Sequence, residues 1–113
     1  MKNLEQIRAA NALAKVGDLK RAAVSKLPAM ILANGLLATA AFCEAGGESR
    51  REMKTAMDHT AEHLLARGLL NQGPGNTAGL IANLSSGSSL QLQRATAEAL
   101  AFISYLKRFA KQK

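Results

Sequence analysis

The stretch SLQLQRATAEALAFISYLKRFAK, residues 89–111, decides the fold class of this 113-residue chain. Eight of its apolar residues recur at helical spacing: Leu92, Ala95, Ala99, Phe102, Ile103, Leu106, Phe109 and Ala110. This spacing repeats with the period of an α-helix and places all of them on one continuous face. The opposite face is mainly basic, and Glu98 is the only acidic residue in the stretch. The pattern therefore predicts a long helix with an apolar inner face and a basic outer face.

Helix-capping residues predict further helices before this one. Asn3 is a good N-cap for a first helix that ends at Gly17, and Asp18 is suited to cap the segment that follows. Ser49 and Glu52 have the spacing of a capping box, in which each side chain bonds the other residue's backbone N–H. The sequence thus predicts helices on both sides of an apolar segment in the middle of the chain.

That apolar segment, LPAMILANGLLATAAF, covers residues 27–42 without a charge. Pro28 is expected to kink or restart the helix, because it lacks an N–H and its ring clashes with the preceding turn. From Ala29 to Phe42 nearly every residue is apolar, which predicts a helix buried at the centre of a bundle. The segment is short for a membrane span and contains Asn34 and Gly35, so no membrane span is expected.

Composition agrees with an all-α fold, because Ala is abundant and aromatic residues make up only 4% of the chain. The loops at 71–76 and 85–89 are too short to separate domains, so residues 1–113 are expected to form a single domain, a compact bundle of four to five helices. Cys43 is the only cysteine, and the N-terminus lacks the unbroken apolar run of a signal peptide. We therefore expect a cytoplasmic protein.

Charge points to a polyanionic partner. The chain has 15 Lys and Arg residues against 8 Asp and Glu residues, a formal net charge of +7 and a pI near 10.1. Charge alone leaves nucleic acid and an anionic membrane surface as alternatives. The basic residues predicted to contact phosphate are Lys20, Arg21, Lys26, Arg94, Lys107, Arg108 and Lys111. Since there is no series of aromatic residues for base stacking, contact is expected with phosphate and shape rather than with bases.

The only catalytic-looking motif is HTAEH, residues 59–63, which has the His-x-x-Glu-His spacing of an inverted zinc-protease signature. A catalytic zinc needs a third protein ligand, and the sequence offers no suitable one. His59 and His63 are therefore predicted to lie on the exposed polar side of a helix. Cys43 is expected to be an inert thiol in the core. The sequence predicts no enzymatic activity, no metal site and no cofactor.

Two segments resemble a known family, the small subunits of the Cmr effector complexes of type III-B CRISPR systems. The first is residues 27–42, and the second is ATAEALAFISYLKRFAKQK, residues 95–113. The shared pattern covers Leu27, Pro28, Asn34, Gly35, Leu36 and Phe42, then Thr96, Glu98, Ala99, Leu100, Leu106, Lys107, Arg108, Phe109 and Ala110. The middle third, residues 44–90, matches only in helix count and loop position.

The resemblance implies a non-catalytic subunit that lines up in several copies beside the backbone that carries the guide RNA (crRNA). It implies that the partners are crRNA, target RNA, the backbone and large subunits, and further copies of the chain, in antiviral RNA interference. Among the predicted phosphate contacts, only Lys107 and Arg108 lie within the shared pattern. The alternative is a purely structural scaffold that contacts protein subunits and makes no direct contact with RNA.

Overall fold

Seven α-helices form the fold in a computed structural model that describes residues 2–112. They are α1 (Leu4–Lys15), α2 (Arg21–Val24), α3 (Lys26–Asn34), α4 (Leu36–Ala45), α5 (Arg51–Ala66), α6 (Thr77–Ser86) and α7 (Ser89–Phe109), with a 3-10 turn at Gly47–Arg50. Residues 2–112 contain no β-strand, so the predicted all-α bundle is confirmed, although it contains seven helices rather than the predicted four to five. Met1 and Lys113, the ends of the predicted domain, lie outside the described residues.

The helix predicted from residues 89–111 occupies the centre of the bundle as α7. It begins after Ser88, whose side chain accepts a hydrogen bond from the Gln91 N–H, and it packs against α1, α2, α3 and α5. The buried apolar residues of α7 are Ala95, Ala99, Phe102, Ile103 and Leu106. All five belong to the predicted apolar face, so this face of α7 forms the part of the core against which α1, α2, α3 and α5 pack.

The apolar segment at residues 29–42 differs from the prediction of one central helix. Gly35 adopts a φ of +95°, a conformation that L residues other than glycine rarely adopt, and it divides the segment into α3 and α4. Leu32 is 75% exposed and Phe42 is 38% exposed, so one side of these helices lies on the surface. The prediction of a helix buried on all sides is wrong. Among residues 2–112, no helix combines the length and the apolar character that a bilayer crossing requires.

Of the three predicted N-terminal caps, the one at Asn3 is present and those at Asp18 and Ser49 are not. Asn3 caps α1 as predicted, and together with Gln6 it forms a full capping box. Asp18 does not cap α2, because its carboxylate binds the Lys111 ammonium at 2.7 Å instead. The predicted box of Ser49 and Glu52 is also wrong, since Ser49 lies in the 3-10 turn that precedes α5. Asp18 thus has a distant partner in place of the expected cap, and Ser49 lies in a local turn.

Candidate nucleic-acid interface

Three of the seven predicted phosphate contacts line one surface cavity, which we call the α7 cavity. Arg21 at the start of α2 faces Lys107 and Arg108 in the last turn of α7, across a volume of about 640 Å³. The other lining residues are Pro28, Leu100 and Ser104. None of the lining residues is acidic, so the cavity carries three positive charges and no negative one. This charge suits an anionic group such as a phosphate.

Arg21 is positioned by the end of α7. Its guanidinium donates hydrogen bonds to the Lys107 and Arg108 carbonyl oxygens at 3.1 and 3.0 Å. These belong to the last turn of α7, whose carbonyls carry the negative end of the helix dipole. The backbone joins the same two segments, since the Arg21 N–H donates to the Lys111 oxygen at 2.6 Å and the Lys111 N–H donates to the Leu19 oxygen at 2.9 Å. Arg21 therefore holds α2 against the end of α7 and also contributes positive charge to the cavity.

Three more of the predicted contacts lie beside carboxylates. Lys111 binds Asp18, and its hydrogen bond lowers the pKa of that carboxyl. The backbone N–H of Lys20 donates to the Glu52 carboxylate at 2.9 Å, and Lys20 lines a cavity together with Asp18 and Glu52. Lys26 lies in a separate cavity of about 160 Å³ that Glu48 and Glu52 also line. The positive charge of these three lysines is partly compensated locally, which the sequence did not indicate.

Arg94 lies away from all of these residues. Arg94 and Arg108 are separated by 14 residues of α7, so they are about 21 Å apart along the helix axis and lie within about 40° of each other around it. Both side chains are exposed. Arg94 lines a different groove together with Arg8 and Arg67. The basic outer face predicted for this helix is thus divided between its two ends.

Glu98 is the main residue whose role the sequence analysis missed. It lies on the inner side of α7 and is 7% exposed. Arg8 of α1 binds both of its carboxylate oxygens, each at 2.8 Å. Burial opposes ionisation of Glu98, but the hydrogen bonds from Arg8 and His63 outweigh it and hold the pKa of this carboxyl below its ordinary value. Arg8 and Glu98 thus form a partly buried ion pair between α1 and α7.

His63 belongs to the same polar cluster. It is 2% exposed, so the prediction that it lies on an exposed face is wrong. Its Nε2 lies 2.9 Å from the Glu98 carboxylate and its Nδ1 lies 3.0 Å from the Asn11 amide nitrogen. The ring stacks on Phe102 with a centroid distance of 4.4 Å. Burial lowers the pKa of His63, and a neutral ring with its proton on Nε2 satisfies both hydrogen bonds.

The zinc-protease-like motif has no matching geometry. His59 Nδ1 pairs with Glu62 at 3.0 Å, while both ring nitrogens of His63 face other partners. Within residues 2–112, no three His, Cys, Asp or Glu side chains are arranged to hold a metal ion. Cys43 is 1% exposed, and burial raises the pKa of its thiol to about 11. This agrees with the prediction of a core thiol, because the reactive thiolate is strongly disfavoured.

Comparison with known protein families assigns the chain. A family model described as CRISPR-associated protein (Cas_Cmr5) matches residues 4–113, almost the whole sequence. The chain belongs to the Cmr5 family. It is therefore a subunit of the Cmr complex of type III-B CRISPR systems, as the two motif segments indicated. No curated protein and no solved structure gives a significant match.

The part of the chain that matches the Cmr5 family includes Glu98, whose partners were not predicted from sequence. Glu98 stands in the Thr-x-Glu-Ala-Leu segment on which the resemblance to the Cmr5 family rested. An acidic residue inside an otherwise basic helix was the available signal that it has a specific partner. Arg8 gave no such signal, since it stands on a helix of mixed polarity. Cmr5 membership places the chain in an assembly with other subunits, so its exposed surfaces are candidate interfaces.

Proposed function

We propose that the chain is a non-catalytic small subunit of a type III-B effector that contacts guide or target RNA through the α7 cavity. Several copies lie beside the crRNA-bearing backbone in the cytoplasm and support antiviral RNA interference. The observation that carries the proposal is the convergence of Arg21, Lys107 and Arg108 on a cavity with no acidic lining residue. Phosphate contacts of this kind give affinity without sequence preference.

The proposed roles differ among the three cations. Lys107 and Arg108 are both exposed and have no acidic partner among residues 2–112, so they are the phosphate contacts. Arg21 is half-buried and holds the end of α7, so it is a positioning residue that adds charge. Lys20, Lys26 and Lys111 contribute weaker, longer-range attraction because each has a carboxylate nearby.

The non-catalytic role is supported by the state of the candidate reactive groups. The imidazole of His63 and the carboxylate of Glu98 are buried and bonded to each other. The Cys43 thiol is buried and protonated at neutral pH. These groups serve packing and pairing inside the bundle, and none of them lines the α7 cavity.

The proposal is tested by measuring RNA affinity against salt concentration with Lys107→Ala/Arg108→Ala. Removing two phosphate contacts is expected to weaken binding and to make the negative slope of log K against log salt shallower by about 1.4, at about 0.7 per contact for single strands. The matched control is Arg51→Ala/Lys54→Ala, which removes the same charge from α5. If the two variants lose affinity equally, or if neither changes the slope, the α7 cavity does not contact RNA and the scaffold alternative is favoured.

A further inference from the structure

A second basic groove lies at the opposite end of α7 from the α7 cavity. Leu4 of α1, Arg67 and Leu69 after α5, and Arg94 and Ala97 of α7 line a volume of about 340 Å³. We call it the Arg67–Arg94 groove. Its ligand is not assigned by the family match or by the proposed RNA contact, since Arg94 lies about 21 Å from Arg108 along the helix.

The groove has an excess of positive charge that the described residues do not neutralise. Arg8 and Glu98 also line it, but the Glu98 carboxylate is already engaged by Arg8 and His63. Arg67 and Arg94 form no ion pair within residues 2–112. Three arginines against one carboxylate leave two positive charges. The groove is therefore complementary to an anionic group.

Exposed leucines beside these arginines distinguish the groove from the α7 cavity, whose apolar lining residues Pro28 and Leu100 are half-buried. Leu4 is 36% exposed, and Leu90, one turn before Arg94 on α7, is 53% exposed. Arginine next to exposed apolar side chains is typical of protein interfaces, where Arg is enriched and Lys is depleted. A nucleic-acid phosphate would gain nothing from these leucines. An acidic side chain next to an apolar one would engage both parts of the surface, because a carboxylate matches the guanidinium fork.

A second copy of this chain is poorly suited to supply that carboxylate. All eight of its Asp and Glu residues already accept a hydrogen bond or form an ion pair with a partner. Its net charge of +7 also opposes close approach of two copies at a basic groove. The occupant favoured by charge is a different protein chain with an exposed acidic segment.

We propose that the Arg67–Arg94 groove is a protein-docking site that receives an acidic residue flanked by apolar residues from a different subunit of the Cmr complex. This rests on family membership and is independent of the proposed RNA contact. It gives Arg94 a protein partner in place of the phosphate contact predicted from sequence.

The decisive experiment places a photo-crosslinking amino acid at Ala97 in a Cmr complex reconstituted from purified subunits with crRNA and target RNA. The matched control carries the same probe at Ser104, which is exposed on the same helix and lines the α7 cavity. The probe at Ala97 is expected to crosslink to another protein subunit, at a peptide that mass spectrometry identifies as containing Asp or Glu beside apolar residues. A crosslink from Ala97 to RNA, to a second copy of the chain, or to no macromolecule overturns the proposal.

The two proposals fail separately in this experiment. If the probe at Ser104 does not crosslink to RNA while the probe at Ala97 crosslinks to a protein, the RNA contact is wrong and the docking groove stands. As a second measurement, Arg94→Glu is expected to weaken incorporation into the complex by at least tenfold, while Arg51→Glu, also an exposed arginine, is expected to change it less than twofold. Equal incorporation of the two variants, with unchanged helical content, contradicts the docking site.

Discussion

At the scale of single residues, the polar cluster around Glu98 and His63 is the least expected feature of the core. A buried charge is costly unless it is paired and hydrogen-bonded. Here Arg8, His63 and Asn11 complete the set of partners, and no buried side-chain nitrogen or oxygen within the described part of the chain lacks a hydrogen bond. The cluster is therefore stable in one protonation state, with Glu98 ionised and His63 neutral.

That protonation state makes stability depend on pH. Because burial lowers the pKa of His63, the unfolded chain takes up a proton near pH 6.5 that the folded protein does not. Below about pH 6.5 the unfolded state binds more protons than the folded state. The free energy of unfolding therefore decreases as the pH decreases, by at most about 1.4 kcal/mol per pH unit. Glu98, whose pKa is also lowered, adds a further loss as pH falls below about 4.3. Urea unfolding of His63→Asn between pH 5 and 7 is expected to lack the first part of this dependence.

His59→Gln is the matched control for the pH experiment, since His59 lies on the same helix but is only half-buried. It is expected to keep the pH dependence of the parent protein. If His63→Asn keeps that dependence as well, His63 is not the group responsible.

At the scale of helices, the joint between α2 and the end of α7 shapes the α7 cavity. Arg21→Ala removes charged hydrogen bonds to the Lys107 and Arg108 carbonyls, and hydrogen bonds of this type contribute about 1.5–3 kcal/mol each. Because the Arg21 guanidinium is partly exposed, we expect a smaller total loss of about 2 kcal/mol in the free energy of unfolding. Amide exchange at Lys111 is expected to accelerate, since its N–H is bonded to Leu19 across this joint.

Lys26→Ala serves as the control for Arg21→Ala, because Lys26 also lies next to α2 and is exposed but bonds no carbonyl of α7. It is expected to change stability by less than about 0.5 kcal/mol, as is usual for surface substitutions. Equal destabilisation by the two substitutions would show that the joint does not depend on Arg21.

The helices also show which parts of the fold and site follow from sequence. The apolar period of α7 and the cap at Asn3 are local signals, and both predictions are confirmed. The division at Gly35 was missed, because an apolar composition on both sides hides a change in backbone direction. The predicted cap at Asp18 failed because its partner, Lys111, is 93 residues away. Local periodicity was readable, whereas pairings between distant residues were not.

The same distinction applies to the candidate site. Charge clustering identified Arg21, Lys107 and Arg108, which the structure brings together. It could not show that Lys26 lies near acidic residues or that Arg94 faces another groove. The sequence does not show which carboxylate lies next to a given basic residue in the folded protein. The predicted set was therefore larger than the group that shares one surface.

At the scale of the whole molecule, the Arg8–Glu98 pair joins helices from opposite ends of the chain. Removing one member of a buried pair usually costs about 3–5 kcal/mol, and since the Arg8 side chain is 24% exposed, we expect Glu98→Gln to cost about 2–3 kcal/mol. Residues 1–113 are predicted to be a single domain, so the loss is expected to be global. Far-UV circular dichroism and the fluorescence of Tyr105, the only tyrosine, are expected to give the same unfolding midpoint.

Tyr105 makes this comparison informative because its hydroxyl donates a hydrogen bond to Glu5 of α1 at 3.1 Å. Its fluorescence thus reports on the contact between α1 and α7. A fluorescence midpoint at lower urea than the circular dichroism midpoint, in the parent protein or in Glu98→Gln, would show that α1 separates first and contradict a single cooperative domain.

Because α7 is continuous between Arg94 and Arg108, it fixes both the distance between these two residues and their relative orientation around the helix axis. Each residue inserted into an α-helix adds about 1.5 Å and turns everything beyond it by about 100°. A single insertion between Ala97 and Ser104 would therefore rotate the Arg108 end toward the core while Arg94 kept its place. An insertion of seven residues, close to two full turns, would preserve the facing and lengthen the spacing by about 10 Å. Sequence length within this stretch is thus expected to be far less tolerant of change than residue identity at its exposed positions.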